Sequence, residues 1–162
     1  MKYPLKKATI GIILSAGLLV GTLDILSAFV DYYITTGKNP LAVLNYIASG
    51  AFGESALSGG AGMMITGLFF HYVIAFSFTV FFFWLYPRVS FFPVNRILTG
   101  IGYGIFIWVV MNLVVVQLSG APHLPISAMK PFKVLKSMGI LIFMIGLPLS
   151  FIANANRSAN WR

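Results

Sequence analysis

The chain has 162 residues, of which 59% are hydrophobic and 9% charged, with a net charge of +8 and no cysteine. Soluble domains carry about 25% charged residues, so the composition excludes a water-soluble globule. The missing thiols exclude disulfides, Cys-ligated zinc, iron–sulfur clusters and thiol catalysis.

Lys2, Lys6 and Lys7 precede an apolar stretch from Ala8 through Ile34, broken only by Asp24 and Asp31. That stretch outruns a signal h-region of about 7–15 residues and lacks an Ala-x-Ala site, so we expect an uncleaved first span over 8–34. Asn39 is a good N-cap and Pro40 suits a first helical position. A short helix is therefore expected from Leu41 to Ile47 or Ala48, lying at the interface or re-entrant. The Gly/Ser run from Ser49 to Gly62 reads as its flexible exit.

From Ser55 to Pro87, and again from Ile97 to Met129, no Asp, Glu, Lys or Arg occurs. A bilayer core of about 30 Å is crossed by about 20 apolar helical residues. Each gap holds a full crossing, and we place further spans over 61–86, 97–118 and 133–153. Pro87 ends the second span, Pro93 discourages further helix, and the prolines between Ser119 and Pro131 make an irregular cap. Runs such as Phe81-Phe82-Phe83-Trp84-Leu85 do not alternate, which argues against a barrel.

The expected fold is an all-α membrane protein of one domain, 1–162. Four transmembrane helices pack as a bundle, with the short interfacial or re-entrant helix between the first and second. Four crossings put both termini on one side, with Lys2, Lys6, Lys7, Arg88, Arg96, Arg157 and Arg162. Lys38, Lys130, Lys133 and Lys136 are left on the other. The positive-inside bias places the termini in the cytoplasm. The basic groups at the ends of apolar runs suit lipid headgroups, and no stripe or aromatic platform remains for nucleic acid.

Each span carries one stripe of small and polar residues. The first has Gly17, Gly21, Asp24, Ala28 and Asp31; the second has Gly67, His71, Ala75 and Thr79. The third has Gly100, Gly104, Trp108 and Asn112, and the fourth Lys136, Gly139, Phe143, Gly146 and Ser150. Small residues let helix backbones approach, and polar ones turn away from lipid. Gly17, Gly21, Gly67, Gly100, Gly104, Gly139 and Gly146 are thus expected to pack helix on helix. Gly100-Ile101-Gly102-Tyr103-Gly104 lies inside a span and reads as close packing, not a dinucleotide loop.

At about 1.5 Å per residue, Asp24, His71, Asn112 and Lys136 gather in the outer half. With Asp31 they are the candidates for one small polar pocket. Asp24 either pairs with Lys136, stays protonated, or is hydrated near the outer surface. Lys130, Lys133 and Lys136 share an arc that suits an anionic headgroup or snorkels to the interface. Two histidines, three acids and no cysteine give no metal-ligand pattern, and no cofactor motif is present.

One stretch carries a resemblance. His71-Tyr72-Val73-Ile74-Ala75-Phe76-Ser77-Phe78, the helix-ending Tyr86-Pro87-Arg88, Gly100 and Gly104 opening the next span, and Gly120-Ala121-Pro122 after it occur in order. This set resembles the YagU family of small bacterial inner-membrane proteins, over about a third of the chain. Members tend to carry a histidine where Asn112 stands and another near Gly139, so the resemblance implies no histidine pair or metal role for His71. It implies an inner-membrane location and the helix order, and supplies no activity.

Two non-enzymatic functions fit these features. The pocket binds or passes a small solute, an ion or a lipid headgroup, with a homo-oligomer completing any pathway. Alternatively the chain is a structural or accessory subunit whose partners are other membrane subunits. A lipid- or quinone-active enzyme using Asp24 and His71 as base and acid lacks a nucleophile and a cofactor site.

Overall fold

The computed structural model describes residues 7–89, 95–123, 125 and 128–159. The expectations for Lys2, Lys6, Pro93 and Arg162 fall outside the described residues. No strand occurs among the described residues; the chain folds as helices α1 (Lys7–Thr36), α2 (Ala42–Phe52), α3 (Ala61–Leu85), α4 (Arg96–Leu118) and α5 (131–159). The four long helices are those expected to cross a membrane, and the shortest span has 23 residues. At about 1.5 Å per residue that is roughly 35 Å, enough for a core of about 30 Å. Only 22–28% of each span is buried inside the bundle. The rest is faced by side chains such as Leu14, Leu18, Ile65, Phe69 and Phe143, which suit lipid and not water. This is a multi-pass membrane protein.

Local chemistry sets the helix ends. The Asn95 side chain accepts from the Leu98 N–H and caps the entry of α4. Asn39 accepts from the Leu41 N–H, but α2 begins only at Ala42 with Leu41 at its N-cap, so the expected Asn39 cap and Pro40 first position fall in the turn before the helix. Pro131 opens α5, where its missing N–H costs nothing. Helix α2 runs four residues past Ala48, through the segment expected to be a flexible exit. Packing overrides the weak propensity of Ser49 and Gly50: Ser49 is fully buried, and the Gly50 carbonyl accepts from the Gly120 N–H at 2.9 Å. A 3₁₀ turn, Glu54–Ser58, then leads to α3.

Neighbouring spans are antiparallel. Gly17 and Gly21 of α1 meet Phe76 and Tyr72 of α3. Asp31 near the end of α1 meets Lys136 near the start of α5. Gly100 and Gly104 of α4 meet Leu147 and Ile142 of α5. Helix α1 thus lies between α3 and α5, and α5 between α1 and α4. Between α3 and α4 the ring is closed mainly by side chains, with the Tyr103 hydroxyl donating to the Phe78 carbonyl at 2.5 Å. The dry core fills the half nearer the termini and includes Val20, Phe82, Tyr86, Tyr103, Ile107, Ile145 and Leu149.

Two spans contain a π-helical turn, Met111–Val115 in α4 and Ile142–Gly146 in α5. The second lies just before Pro148, which has no N–H to donate and crowds the carbonyl of the preceding turn; widening the helix there relieves both. An extra residue in the turn rotates everything beyond it. That is why Phe143, expected on the inward stripe, is 66% exposed while Gly146 and Ser150 face α4.

Candidate functional site

The polar site is built on the α1–α3 seam. Two bare glycines lower the wall of α1: a Cβ on Gly17 would lie 2.4 Å from the Phe76 ring, and one on Gly21 only 3.0 Å from Tyr72. The same gap lets His71, itself 8% exposed, reach the α1 backbone. Its Nε2 lies 2.8 Å from the Gly21 carbonyl oxygen. A carbonyl only accepts, so Nε2 carries the proton and donates, which leaves Nδ1 as the acceptor in neutral imidazole.

Asp24 stands three residues beyond Gly21. Helical Cα–Cβ bonds tilt toward the N-terminus, which brings its carboxyl back over the turn that His71 approaches. No described residue donates a hydrogen bond to that carboxyl or forms a salt bridge with it. Next to Gly21 on α1, the Thr22 hydroxyl donates to the Leu18 carbonyl and so accepts from the Tyr72 hydroxyl, at 2.8 Å.

The other expected pocket members go elsewhere. Lys136 Nζ lies 2.5 Å from Asp31 Oδ1 and 3.3 Å from Thr35 Oγ1, across α1 and α5 at the end that holds α2. Its partner is therefore Asp31 and not Asp24, which sits about 10 Å deeper along α1 at about 1.5 Å per residue. Asn112 turns to its own helix: its Nδ2 donates to the Trp108 carbonyl, and Gln117 donates to the Asn112 carbonyl within the π-helical turn. The α4–α5 bridge at this level is Trp108 Nε1 to Ser137 Oγ, 2.8 Å. The five residues expected in one pocket fall into three separate arrangements: Asp31 paired with Lys136, Asn112 bonded to its own helix, and Asp24 one turn beyond the Gly21 carbonyl that His71 reaches.

The Asp31–Lys136 pair is about a third exposed on both side chains. Such pairs contribute about 0.2–1 kcal/mol in water. Lys136→Met is expected to lower detergent-unfolding stability by no more than that, read by denaturant titration in micelles. Lys130 and Lys133 are exposed, while Lys136 is engaged with Asp31.

The glycines divide in the same way. A Cβ on Gly67 would lie 2.0 Å from the Leu44 carbonyl of α2, and one on Gly146 2.1 Å from the Gly100 carbonyl. Gly139 has nothing within 4 Å, so its expected packing role is corrected; it precedes the π-helical turn and opens to the outside. Sequence reasoning missed Tyr103, Ser137 and the buried Asn45, whose Nδ2 donates to the Gly59 carbonyl at 3.0 Å. Tyr103 and Asn45 are polar residues in apolar stretches of helix, and that was their only signal; Ser137 sits beside Lys136.

An open groove of about 340 Å³ runs between α3 and α4, lined by Ile74, Ser77, Phe78, Phe81, Phe106 and Val115. None of the polar candidates lines it. Among the described residues no three His, Asp or Glu side chains converge to hold a metal ion. No protein-family model matches the chain, and no curated protein or solved structure matches it either.

Proposed function

We propose that the protein is a non-enzymatic membrane protein that binds or passes a small ion or solute at the Asp24–His71 seam. The observation that carries this reading is the Asp24 carboxyl, which lies within a span and receives no hydrogen bond from a described residue. An ionisable group at such depth is costly unless it has a partner or a pathway, and a structural carboxylate would be expected to find a donor. The resemblance to the YagU family and the distribution of basic residues support a bacterial inner membrane with both termini in the cytoplasm.

A second reading, an accessory subunit, is favoured by the polar groups that are already satisfied within the chain: Thr22 with Tyr72, Asp31 with Lys136, Trp108 with Ser137. Asp24→Asn separates the two. On the first reading the variant keeps its yield and oligomer size but loses at least about tenfold in ion binding or flux in proteoliposomes, as expected when a buried charge contact worth about 1.4 kcal/mol is removed. Wild-type flux or binding with altered oligomer size favours the accessory subunit.

A further inference from the structure

We propose that the groove between α3 and α4 binds one acyl chain of an anionic phospholipid, with the lipid phosphate held by Arg88. The site is separate from the α1–α3 seam and does not rest on Asp24. The first ground is the groove itself. It runs from Ile74 to Phe81 on α3 and from Phe106 to Val115 on α4, about 10 and 13 Å at about 1.5 Å per residue. One leaflet of the bilayer core is about 15 Å deep, so the groove follows most of the depth that an acyl chain covers. Ser77 is the polar residue of the lining, and its hydroxyl donates to the Val73 carbonyl of its own helix. The lining therefore suits a hydrocarbon tail and not a polar solute.

The second ground is an aromatic path from the groove to a charge. Phe106 stacks on Phe81 with ring centroids 5.6 Å apart, and Phe81 stacks on Trp84 at 5.8 Å. The Arg88 guanidinium folds back over the Trp84 ring, 4.3 Å from its centroid, and donates one N–H to the Trp84 carbonyl. A guanidinium has five N–H donors, so others remain for phosphate oxygens, which its planar fork matches. Trp and Arg at the end of a span stand at headgroup level.

The third ground is charge. The end of the bundle that holds Lys7 also carries Arg88, Arg96 and Arg157, and no acidic side chain. Of the three acids in the chain, Asp24 and Asp31 lie in the far half of α1 and Glu54 in the 3₁₀ turn after α2. Arg88 forms no salt bridge among the described residues, and Arg96 turns toward α5, where it lies over the Phe151 ring. An anionic headgroup supplies the missing countercharge.

A helix from a second copy fits these walls less well. Within this chain, helices approach closely at glycines: Gly21 against α3, Gly67 against α2, and Gly100 and Gly146 between α4 and α5. The groove lining has no glycine or alanine, and small residues are what let helix backbones approach.

The test is photolabelling of the full chain in phosphatidylcholine vesicles holding a trace of phosphatidylglycerol with a diazirine in one acyl chain. Labelled residues are mapped by mass spectrometry. The expected result is labelling concentrated on 74–81 and 106–115, displaced when unlabelled phosphatidylglycerol replaces part of the host lipid and not when phosphatidylethanolamine does. Arg88→Gln should raise the phosphatidylglycerol needed for half-displacement about fivefold, the equivalent of about 1 kcal/mol for one basic residue near an anionic headgroup. Arg88→Lys should recover most of that loss, and Arg96→Gln should change it by less than about twofold. Ser77→Leu fills the groove and should abolish the displaceable labelling with Arg88 intact.

Labelling spread evenly over outward residues such as Ile65 and Phe69, and resistant to displacement, is that of bulk lipid and overturns the proposal. Equal displacement by phosphatidylethanolamine overturns it as well, and the wild-type chain alone decides that point should a variant fail to assemble. A Ser77→Cys variant that cross-links between chains, with the probe absent from the groove, makes a second copy the occupant and also overturns it.

Discussion

Gly146→Ala is expected to weaken the bundle by about 1–3 kcal/mol, the usual range for overpacking a filled interface. The added Cβ would meet the Gly100 carbonyl oxygen at 2.1 Å and the Gly104 nitrogen at 2.9 Å. Both are backbone atoms of α4 and cannot swing aside as a side chain would. To admit one methyl group, α4 and α5 must separate, and the Ser150 hydroxyl would loosen from the Arg96 carbonyl it contacts at 2.7 Å. The sign is informative because Gly→Ala within an open helix normally stabilises, by about 0.8–1 kcal/mol. Gly102→Ala and Gly139→Ala, with nothing within 4 Å of the new atom, are expected to be neutral or stabilising. Denaturant titration of the three variants in one detergent reads the contrast. Equal effects at Gly139 and Gly146 would refute the α4–α5 packing.

Phe82→Ala is expected to cost about 2–3 kcal/mol. Phe82 is fully buried, with its ring 4.6 Å from that of Tyr103 and 5.5 Å from that of Tyr86. Phe→Ala in a water-soluble core costs about 3–5 kcal/mol, as lost transfer energy plus a cavity. Between membrane helices the transfer part shrinks, since a separated helix meets lipid and not water, while the cavity part stays. The void would lie where α3 and α4 are joined mainly through Tyr103 and Phe78, so the weakest seam of the ring loses its filling. Val80→Ala, two residues away on the opposite face of α3 and half exposed, is expected to change stability by less than about 1 kcal/mol. A comparable loss at both positions would place Phe82 outside the core.

The four crossings and the short helix were legible because hydrophobic length is a one-dimensional property of a chain. The spans fall within a few residues of those expected, and the short helix starts at Ala42, just after the Asn39-Pro40 pair read as its entry. What composition could not carry was which face of each helix meets which neighbour. The stripe on α1 divides: Gly17 and Gly21 meet α3, while Asp31 meets α5. A stripe at constant helical period cannot report such a change of neighbour.

The α5 stripe failed for a different reason. Its period presumes an unbroken helix, and the π-helical turn Ile142–Gly146 shifts the register between Gly139 and Gly146. Pro148 was the visible clue. The expectation of one pocket then dissolved, because depth along a helix axis says nothing about azimuth. Asn112 and His71 were placed at similar depth, yet one bonds to its own helix and the other crosses to α1.

The juxtaposition of α1 and α3 at Gly21 is the feature on which the site depends, and a cysteine pair tests it. The chain has no cysteine of its own. A Cβ at position 21 would lie 3.2 Å from the Ala75 Cβ, near the spacing of about 3.5–4.5 Å that a disulfide needs. The Gly21→Cys/Ala75→Cys double variant should therefore cross-link within one chain on mild oxidation in membranes. Gly21→Cys/Val73→Cys, whose second position faces outward, should stay reduced. Cross-linking at position 73 and none at 75, or links formed only between chains, would contradict the seam and with it the Asp24–His71 site.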